Sequence, residues 1–325
     1  MNNLIYCEWI KATNPCGEQP LPPNGACLLG SFNLTKYIKM GADGVYFDWE
    51  QFRRDIPPIV RAMDNVIEET IYPLEVQKNE EILKRRMGLG VTGLANAGEV
   101  LGYAYGSQDF LGFTEEVLRT LRDEAYGASV ELAKEKEPFP LFKGTYCESH
   151  FIATLPKDLQ DNIRKYGIRN SHLLSIAPTG TISLTADNVS SGIEPVFSHV
   201  TQRTIQTMDG PRLEIVKDYA FETWGVKGRT ADETSVDEHL AVLLLAQKYS
   251  DSAVSKTCNV GADVTYQEFK DIYVNAWKGG AKGITTFRAA GKRFGILNAV
   301  KEESDDDEKT EACHIDPTTG SRTCE

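Results

Sequence analysis

Histidine is scarce, at five in 325 residues, and neither a CxxC pair nor an HxxxH spacing occurs. Zinc sites and histidine-built triads depend on such patterns, so both are disfavoured. No apolar run approaches the ~20 residues needed to span a bilayer. The opening Met1-Asn2-Asn3-Leu4-Ile5-Tyr6-Cys7-Glu8 has no basic stretch leading into an apolar core, so it does not read as a signal peptide. Cations are outnumbered too: 35 Lys and Arg face 47 Asp and Glu, leaving a net charge of −12. A general nucleic-acid binder needs clustered Lys and Arg and is excluded, although a local phosphate site is not.

The remaining composition, 41% hydrophobic and 25% charged, is that of a folded domain of one large or two ordinary units. Seven cysteines stand at irregular spacing: Cys7, Cys16, Cys27, Cys147, Cys258, Cys313 and Cys324. An odd number without a secretion signal suits a reducing compartment and redox or catalytic thiols.

The most informative stretch is Asn14-Pro15-Cys16-Gly17-Glu18-Gln19-Pro20-Leu21-Pro22-Pro23-Asn24-Gly25-Ala26-Cys27. Its four prolines exclude a regular helix and demand an extended or turned backbone. If locally extended, it points Asn14, Cys16 and Glu18 to one side. A nucleophile or radical, a base and an amide would then share one small volume. Against this stands the ordinary reading of a cysteine as a small buried hydrophobe, or of Cys16 and Cys27 as a structural disulfide or half a metal site.

Residues 28–48 read as a strand and a short connection. Helical spacing of Phe52, Ile56, Ile59, Val60, Met63, Val66 and Ile67 predicts a helix over 49–71, kinked or delayed by Pro57 and Pro58. Gly88, Gly90 and Gly93 formally fit GxGxxG. Lys84-Arg85-Arg86 is too charged for a buried strand ahead of them, so we read a strand meeting a helix rather than a dinucleotide loop. An amphipathic helix is predicted over 113–136 with Thr114 as N-cap, and a short one over 156–166. Helices are also predicted over 213–224, 236–250 and 265–277, the last with Tyr266, Phe269, Ile272, Tyr273 and Trp277 as its apolar set.

A second stretch runs His172-Leu173-Leu174-Ser175-Ile176-Ala177-Pro178-Thr179-Gly180-Thr181-Ile182-Ser183 and on to Gly192-Ile193-Glu194-Pro195. Hydroxyls, a glycine and free N–H groups at a strand end make an oxyanion pocket, although any strand-to-turn junction can show them. Residues 299–312 read as an acidic linker. Beyond it, Pro317 and Gly320 allow Cys313 and Cys324 to meet as a thiol shuttle; the alternative is a disordered tail with incidental cysteines.

Three segments together resemble the ribonucleotide reductase catalytic chain. They are Asn14–Glu18 followed by Gly25-Ala26-Cys27-Leu28-Leu29-Gly30-Ser31-Phe32-Asn33-Leu34; Pro178-Thr179-Gly180-Thr181 with Gly192-Ile193-Glu194-Pro195; and Ser255-Lys256-Thr257-Cys258-Asn259. The resemblance implies an α/β fold: residues 1–298 as the C-terminal half of a ten-stranded α/β barrel, with a central finger loop at about 14–27, and 299–325 as linker and redox tail. In the family a half-barrel precedes the finger loop, so the chain is expected to derive from a split gene or a fragment. It is then expected to be inactive and aggregation-prone without an N-terminal half. Cys258 is read as packing.

The resemblance also implies roles. Cys16 would become the thiyl radical, Glu18 the base for the ribose 3′-hydroxyl, and Asn14 the amide that holds the ribose and the Glu18 carboxylate. Cys27 would supply reducing equivalents; Cys313 and Cys324 would regenerate them, with thioredoxin or glutaredoxin as reductant. Pro178, Thr179, Gly180 and Thr181 would hold substrate phosphate. Classes that import a radical from a metal subunit carry adjacent tyrosines where this chain has Thr285-Thr286-Phe287. The resemblance is therefore to the adenosylcobalamin-dependent class. It further implies a cytoplasmic enzyme and a homodimer once completed. An inactive remnant, a nucleotide-binding subunit and a metal-radical-class fragment stand as alternatives; the intact Asn14, Cys16, Glu18, Cys27 and tail pair argue against decay.

Overall fold

The computed structural model describes residues 2–26, 28–208 and 210–288, with short strands beyond at 298–299, 313–315 and 322–324. Near the start, β1 (Ala12–Thr13) and β2 (Pro20–Leu21) pair antiparallel as the stem of a hairpin. Next come β3 (Leu29–Asn33) and the hairpin β4 (Ile38–Gly41) and β5 (Gly44–Phe47). Helix α1 (Trp49–Glu69) begins where Asp48 accepts the Gln51 N–H at 3.0 Å. It is neither delayed nor broken by Pro57 and Pro58. Both prolines lie on the exposed face, where water can take the carbonyls they leave unpaired.

Helix α2 (Glu75–Lys84) ends at Arg85, and strand β6 (Gly88–Thr92) follows, buried at every residue. Helix α3 (Leu94–Val100) continues directly from it. The triple-glycine stretch is thus a strand meeting a helix, as its sequence suggests. Lys84, Arg85 and Arg86 are buried all the same, because each finds a carboxylate. Arg86 bonds Glu8 at 2.6 and 2.8 Å, Lys84 reaches Glu8 at 2.9 Å, and Arg85 donates to Asp64 at 2.8 Å. Burial alone would raise the Asp64 carboxyl, but its bond to Arg85 and the charges of Arg85 and Arg169 hold it below the usual range.

Helix α4 (Gln108–Lys136) is longer than expected. Its N-cap is Ser107, whose Oγ accepts the Phe110 N–H, while Thr114 lies buried inside. Hydrophobic demand on Phe110 and Phe113 extends the helix past the predicted cap; Phe113 packs edge to face on Phe47 at 5.4 Å. Helices α5 (Lys157–Tyr166) and α6 (Ile182–Thr185) follow.

The predicted helix over 213–224 is corrected. Strands β7 (Val200–Thr207) and β8 (Gly210–Lys217) form an antiparallel hairpin, and only α7 (Tyr219–Trp224) is helical. Gly210 at φ 112° fits the tight turn, and the alternating Leu213 and Ile215 belong to a two-residue period rather than to a helix. Helix α8 (Val236–Lys248) starts in a Ser235–Glu238 capping box. Strand β9 (Thr257–Val260), helix α9 (Tyr266–Lys278) and strand β10 (Thr285–Arg288) close the main body. Of the apolar set predicted for α9, Ile272 is buried, whereas Tyr266 and Trp277 are 78% and 75% exposed. Cys258 is fully buried and its thiol is pushed up to about 11 by burial, as packing requires.

Five segments run parallel in one hydrogen-bonded series. β3 pairs with β6, Leu89 of β6 bridges Leu174, Ile176 bridges Val254, and β9 pairs with β10. The chain continues from 254 into β9, so 253–260 is the fourth member. This is an α/β architecture with helices as crossovers. β3 and β10 are its outer members among the described residues. β11 (Asn298–Ala299) adds to β7, and β12 (Cys313–Ile315) pairs antiparallel with β13 (Arg322–Cys324). Among the described residues no helix is long and apolar enough to cross a membrane.

Candidate active site

The proline-rich loop is a tight hairpin, not an extended strand. Beyond the β1–β2 stem, the Asn14 N–H donates to Gln19 O at 3.2 Å, and Asn14 Oδ1 accepts the Gln19 N–H at 3.0 Å. The Gly17 N–H donates to Asn14 O, with Gly17 at φ 83° completing the turn. Asn14, Cys16 and Glu18 are brought together, but not onto one exposed face. Cys16 is exposed at the tip, while Glu18 is 1% exposed. The amide oxygen of Asn14 shapes the turn through Gln19, a use that the sequence does not announce.

The hairpin is fastened to the parallel series through Glu18. Its carbonyl accepts Ser175 Oγ–H and the Ala253 N–H, both at 2.9 Å. The Glu18 side chain is aimed elsewhere: Oε2 is buried with no partner among the described residues. A buried carboxylate oxygen without a partner is costly unless something else is to fill the place. Gln19, also 1% exposed, has both amide side-chain atoms in the same condition. It lies over β6, where a Cβ on Gly88 would stand 2.1 Å from Gln19 Nε2. Gly90 has the same role toward the third segment, since its Cβ would stand 2.3 Å from Ser175 O. The glycines of β6 therefore let the hairpin and a neighbouring strand approach, and they are the signal that could have found Gln19 and Ser175.

Partial burial, and then the negative charge of Glu18, push the Cys16 thiol above its ordinary range. Nucleophilic cysteines and metal ligands need the opposite shift, toward thiolate. Cys16 does not show that shift.

The segment that anchors Glu18 runs three residues on from Ser175 into Pro178-Thr179-Gly180-Thr181, so hairpin and loop share one support. Pro178 is half-buried, and Gly180 and Thr181 are exposed. Thr179 turns inward: its hydroxyl is 2.8 Å from Thr92 Oγ1 and accepts the Gly192 N–H at 2.7 Å. That hydroxyl is committed to the protein and is not turned out with those of the loop surface. Behind the loop, Glu194 accepts from Lys256 Nζ at 2.5 Å, and Lys256 also meets His239 Nδ1 at 2.8 Å. Cys27 lies outside the described residues. In the tail, Cys313 and Cys324 are directly opposed backbone partners of β12 and β13.

The family model described as ribonucleotide reductase, barrel domain, matches residues 1–228 and 227–287. A vitamin B12-dependent ribonucleoside-diphosphate reductase of Mycobacterium tuberculosis (strain CDC 1551 / Oshkosh) is 33% identical over 319 residues, covering 90% of this chain and 43% of its own length. The enzyme of that name from Thermoplasma acidophilum is 32% identical, over 94% of this chain and 41% of its own. A ribonucleoside-diphosphate reductase subunit alpha of Chlamydia pneumoniae is 26% identical, over 86% and 32%. The chain thus spans less than half the length of these relatives.

Proposed function

The chain belongs to the ribonucleotide reductase barrel family, and from that premise we propose that it carries the catalytic hairpin for thiyl-radical reduction of a ribonucleoside diphosphate to the 2′-deoxyribonucleotide. The observation that carries the reading is the hairpin itself: an exposed Cys16 held as thiol beside the buried, unpartnered carboxylate oxygen of Glu18. As a thiyl radical, Cys16 takes the ribose 3′ hydrogen atom, and Glu18 accepts the 3′-hydroxyl proton. The 2′-hydroxyl then leaves as water. Cys27 and a second thiol give two electrons and two protons, one proton leaving in that water and one staying at C2′, and become a disulfide; Glu18 returns its proton to the 3′ oxygen and Cys16 its hydrogen atom to C3′, so that Cys16 is a thiyl radical again. Cys313 and Cys324 reduce that disulfide by exchange and are restored by thioredoxin or glutaredoxin. Their opposed positions in β12 and β13 support this pairing.

Substrate phosphate is assigned to the Pro178–Thr181 loop, with Gly180 and Thr181 at its exposed surface and Thr179 shaping it from within. Asn14 holds the ribose edge of the hairpin. The diphosphate form follows the relatives' names.

Adenosylcobalamin would supply the radical chemistry, and Cys16, exposed at the hairpin tip, would be the residue that meets it. The residues present fit it: Cys16 is accessible at the hairpin tip, and β10 offers Thr285-Thr286-Phe287 without adjacent tyrosines. Tyr273 does meet Thr286 Oγ1 at 2.8 Å, but singly and from the outer helix α9.

The catalytic assembly we propose is the ten-stranded barrel, to which these residues give five parallel segments and further reductase sequence the rest. Outer sides of β3 and β10 that have no strand partner among the described residues, and the exposed Ile5, Trp9 and Ile71, support that assembly. We place the completed enzyme in the cytoplasm, as a homodimer.

The test mixes this chain with the complementary half, adenosylcobalamin, dithiothreitol and cytidine 5′-diphosphate, and measures deoxycytidine diphosphate. Product that requires both halves and disappears with Cys16→Ser is expected. Product only with a metal-radical subunit would keep the chemistry and overturn the cofactor. No product under either condition would leave a non-catalytic remnant.

A further inference from the structure

Thr179 is the one member of the phosphate loop whose side chain faces away from the loop surface. Its backbone lies at φ 53°, a left-handed conformation that β-branched residues rarely adopt. Such strain persists only where the surroundings over-determine it. Here a chain of hydrogen bonds does so. The Gly192 N–H donates to Thr179 Oγ1 at 2.7 Å, the Thr179 and Thr92 hydroxyls are 2.8 Å apart, and Thr92 Oγ1 donates to Ser190 O at 3.1 Å. The Thr92 proton goes to Ser190 O, so Thr179 O–H donates to Thr92 Oγ1, which the Gly192 N–H also reaches at 3.3 Å. Each hydroxyl then accepts and donates inside a buried site, with Thr92 3% and Thr179 7% exposed. Gly192 adds to the constraint. It too lies at φ 53°, and a Cβ there would stand 2.7 Å from Ala177 O.

We infer that Thr92, at the C-terminal end of β6 and outside the loop, is a positioning residue that sets the phosphate loop for a nucleoside diphosphate through the Thr179 hydroxyl. The inference rests on the phosphate-loop reading above. Removing the Thr92 hydroxyl leaves Thr179 O–H without its buried acceptor and removes one restraint on its φ angle. The loop relaxes away from the shape that receives phosphate, while the hairpin, fastened separately through Ser175 and Ala253, stays in place.

Calorimetric titration of this chain assembled with the complementary half, with cytidine 5′-diphosphate and separately with cytidine, tests this. Wild type and Thr92→Ser are expected to bind the diphosphate alike. Thr92→Val is expected to bind it about tenfold more weakly, with cytidine unaffected. A merely structural loosening would weaken both ligands and would not be rescued by serine. Thr179→Val breaks the same chain from the loop side and serves if Thr92→Val does not fold; it is expected to show the same selective loss. Diphosphate binding unchanged in either valine variant overturns the inference alone. A wild-type assembly that binds cytidine 5′-diphosphate no better than cytidine overturns the phosphate-loop reading, and this inference with it.

Discussion

Gln19 lies over Gly88 so closely that a Cβ at Gly88 would stand 2.1 Å from Gln19 Nε2. The contact joins the residue after the proposed base to the second of the five parallel segments. It seats the hairpin on β6 from one side, while Ser175 and Ala253 hold the Glu18 carbonyl from the other.

Gly88→Ala should therefore displace the hairpin. The new methyl would also stand 2.7 Å from Ser175 Cβ and 2.8 Å from Leu29 Cδ2, so no single neighbour can yield alone. A stability cost of about 1–3 kcal/mol is expected by denaturant titration. Turnover in the completed enzyme should fall by ~100-fold, because a misplacement of about 1 Å is enough for that. Wild-type turnover in this variant would show that Gln19 does not set the hairpin.

Changing Cys313 or Cys324 to serine should abolish turnover driven by thioredoxin or glutaredoxin and spare turnover driven by dithiothreitol. On the proposed roles the small thiol would reach the active-site disulfide directly, whereas the protein reductants would depend on the tail. Equal loss with both reductants would place these thiols elsewhere in the reaction.

Lys256 is fully buried against Glu194, His239 and the Thr257 carbonyl. Burial, and then the Lys256 charge, hold His239 down at about 3, so it is neutral and its Nδ1 accepts from the ammonium. Lys256→Met leaves Glu194 without its cation and is expected to cost about 3–5 kcal/mol in equilibrium unfolding. Adding Glu194→Gln should restore part of that loss. If the two changes simply add, the pair is not coupled.

Burial, and then the charge of Asp218, push the Glu99 carboxyl from 4.5 up to about 8. Between these values the folded chain binds the proton that the unfolded chain has released. Stability therefore falls as pH rises through this window, and the loss is complete above about 8. Glu99→Gln mimics the protonated form. Its carbonyl can still accept the Arg229 N–H that Glu99 Oε1 takes at 2.9 Å. The variant should match wild type near the acid end of the window and unfold at a higher temperature above it. A difference that stays constant with pH would show that the carboxyl is ionised throughout.

Much of this architecture is legible in local sequence. Four prolines exclude a regular helix from the loop at 14–27. Apolar spacing locates α1, α5, α8 and α9 to within a few residues. The same signals fail where distant residues decide. Thr114 looks like an N-cap, but the apolar contacts of Phe110 and Phe113 carry the helix past it to Ser107. Leu213 and Ile215 look helical in a short window, but β7 supplies a strand partner. Lys84, Arg85 and Arg86 read as surface charge until Glu8 and Asp64 are brought to them.

The sequence by itself determines which groups are chemically available: the thiol and carboxylate two residues apart, a backbone that cannot be a regular helix, and the absence of a tyrosine pair in Thr285-Thr286-Phe287. Those follow from covalent order and nearest-neighbour sterics. Only the tertiary structure decides that Cys16 is exposed while Glu18 is buried, that Gln19 rests on Gly88, and that Thr179 points inward to Thr92. Each of these depends on segments brought together across the parallel series, and there burial and packing, not local propensity, set the free energy.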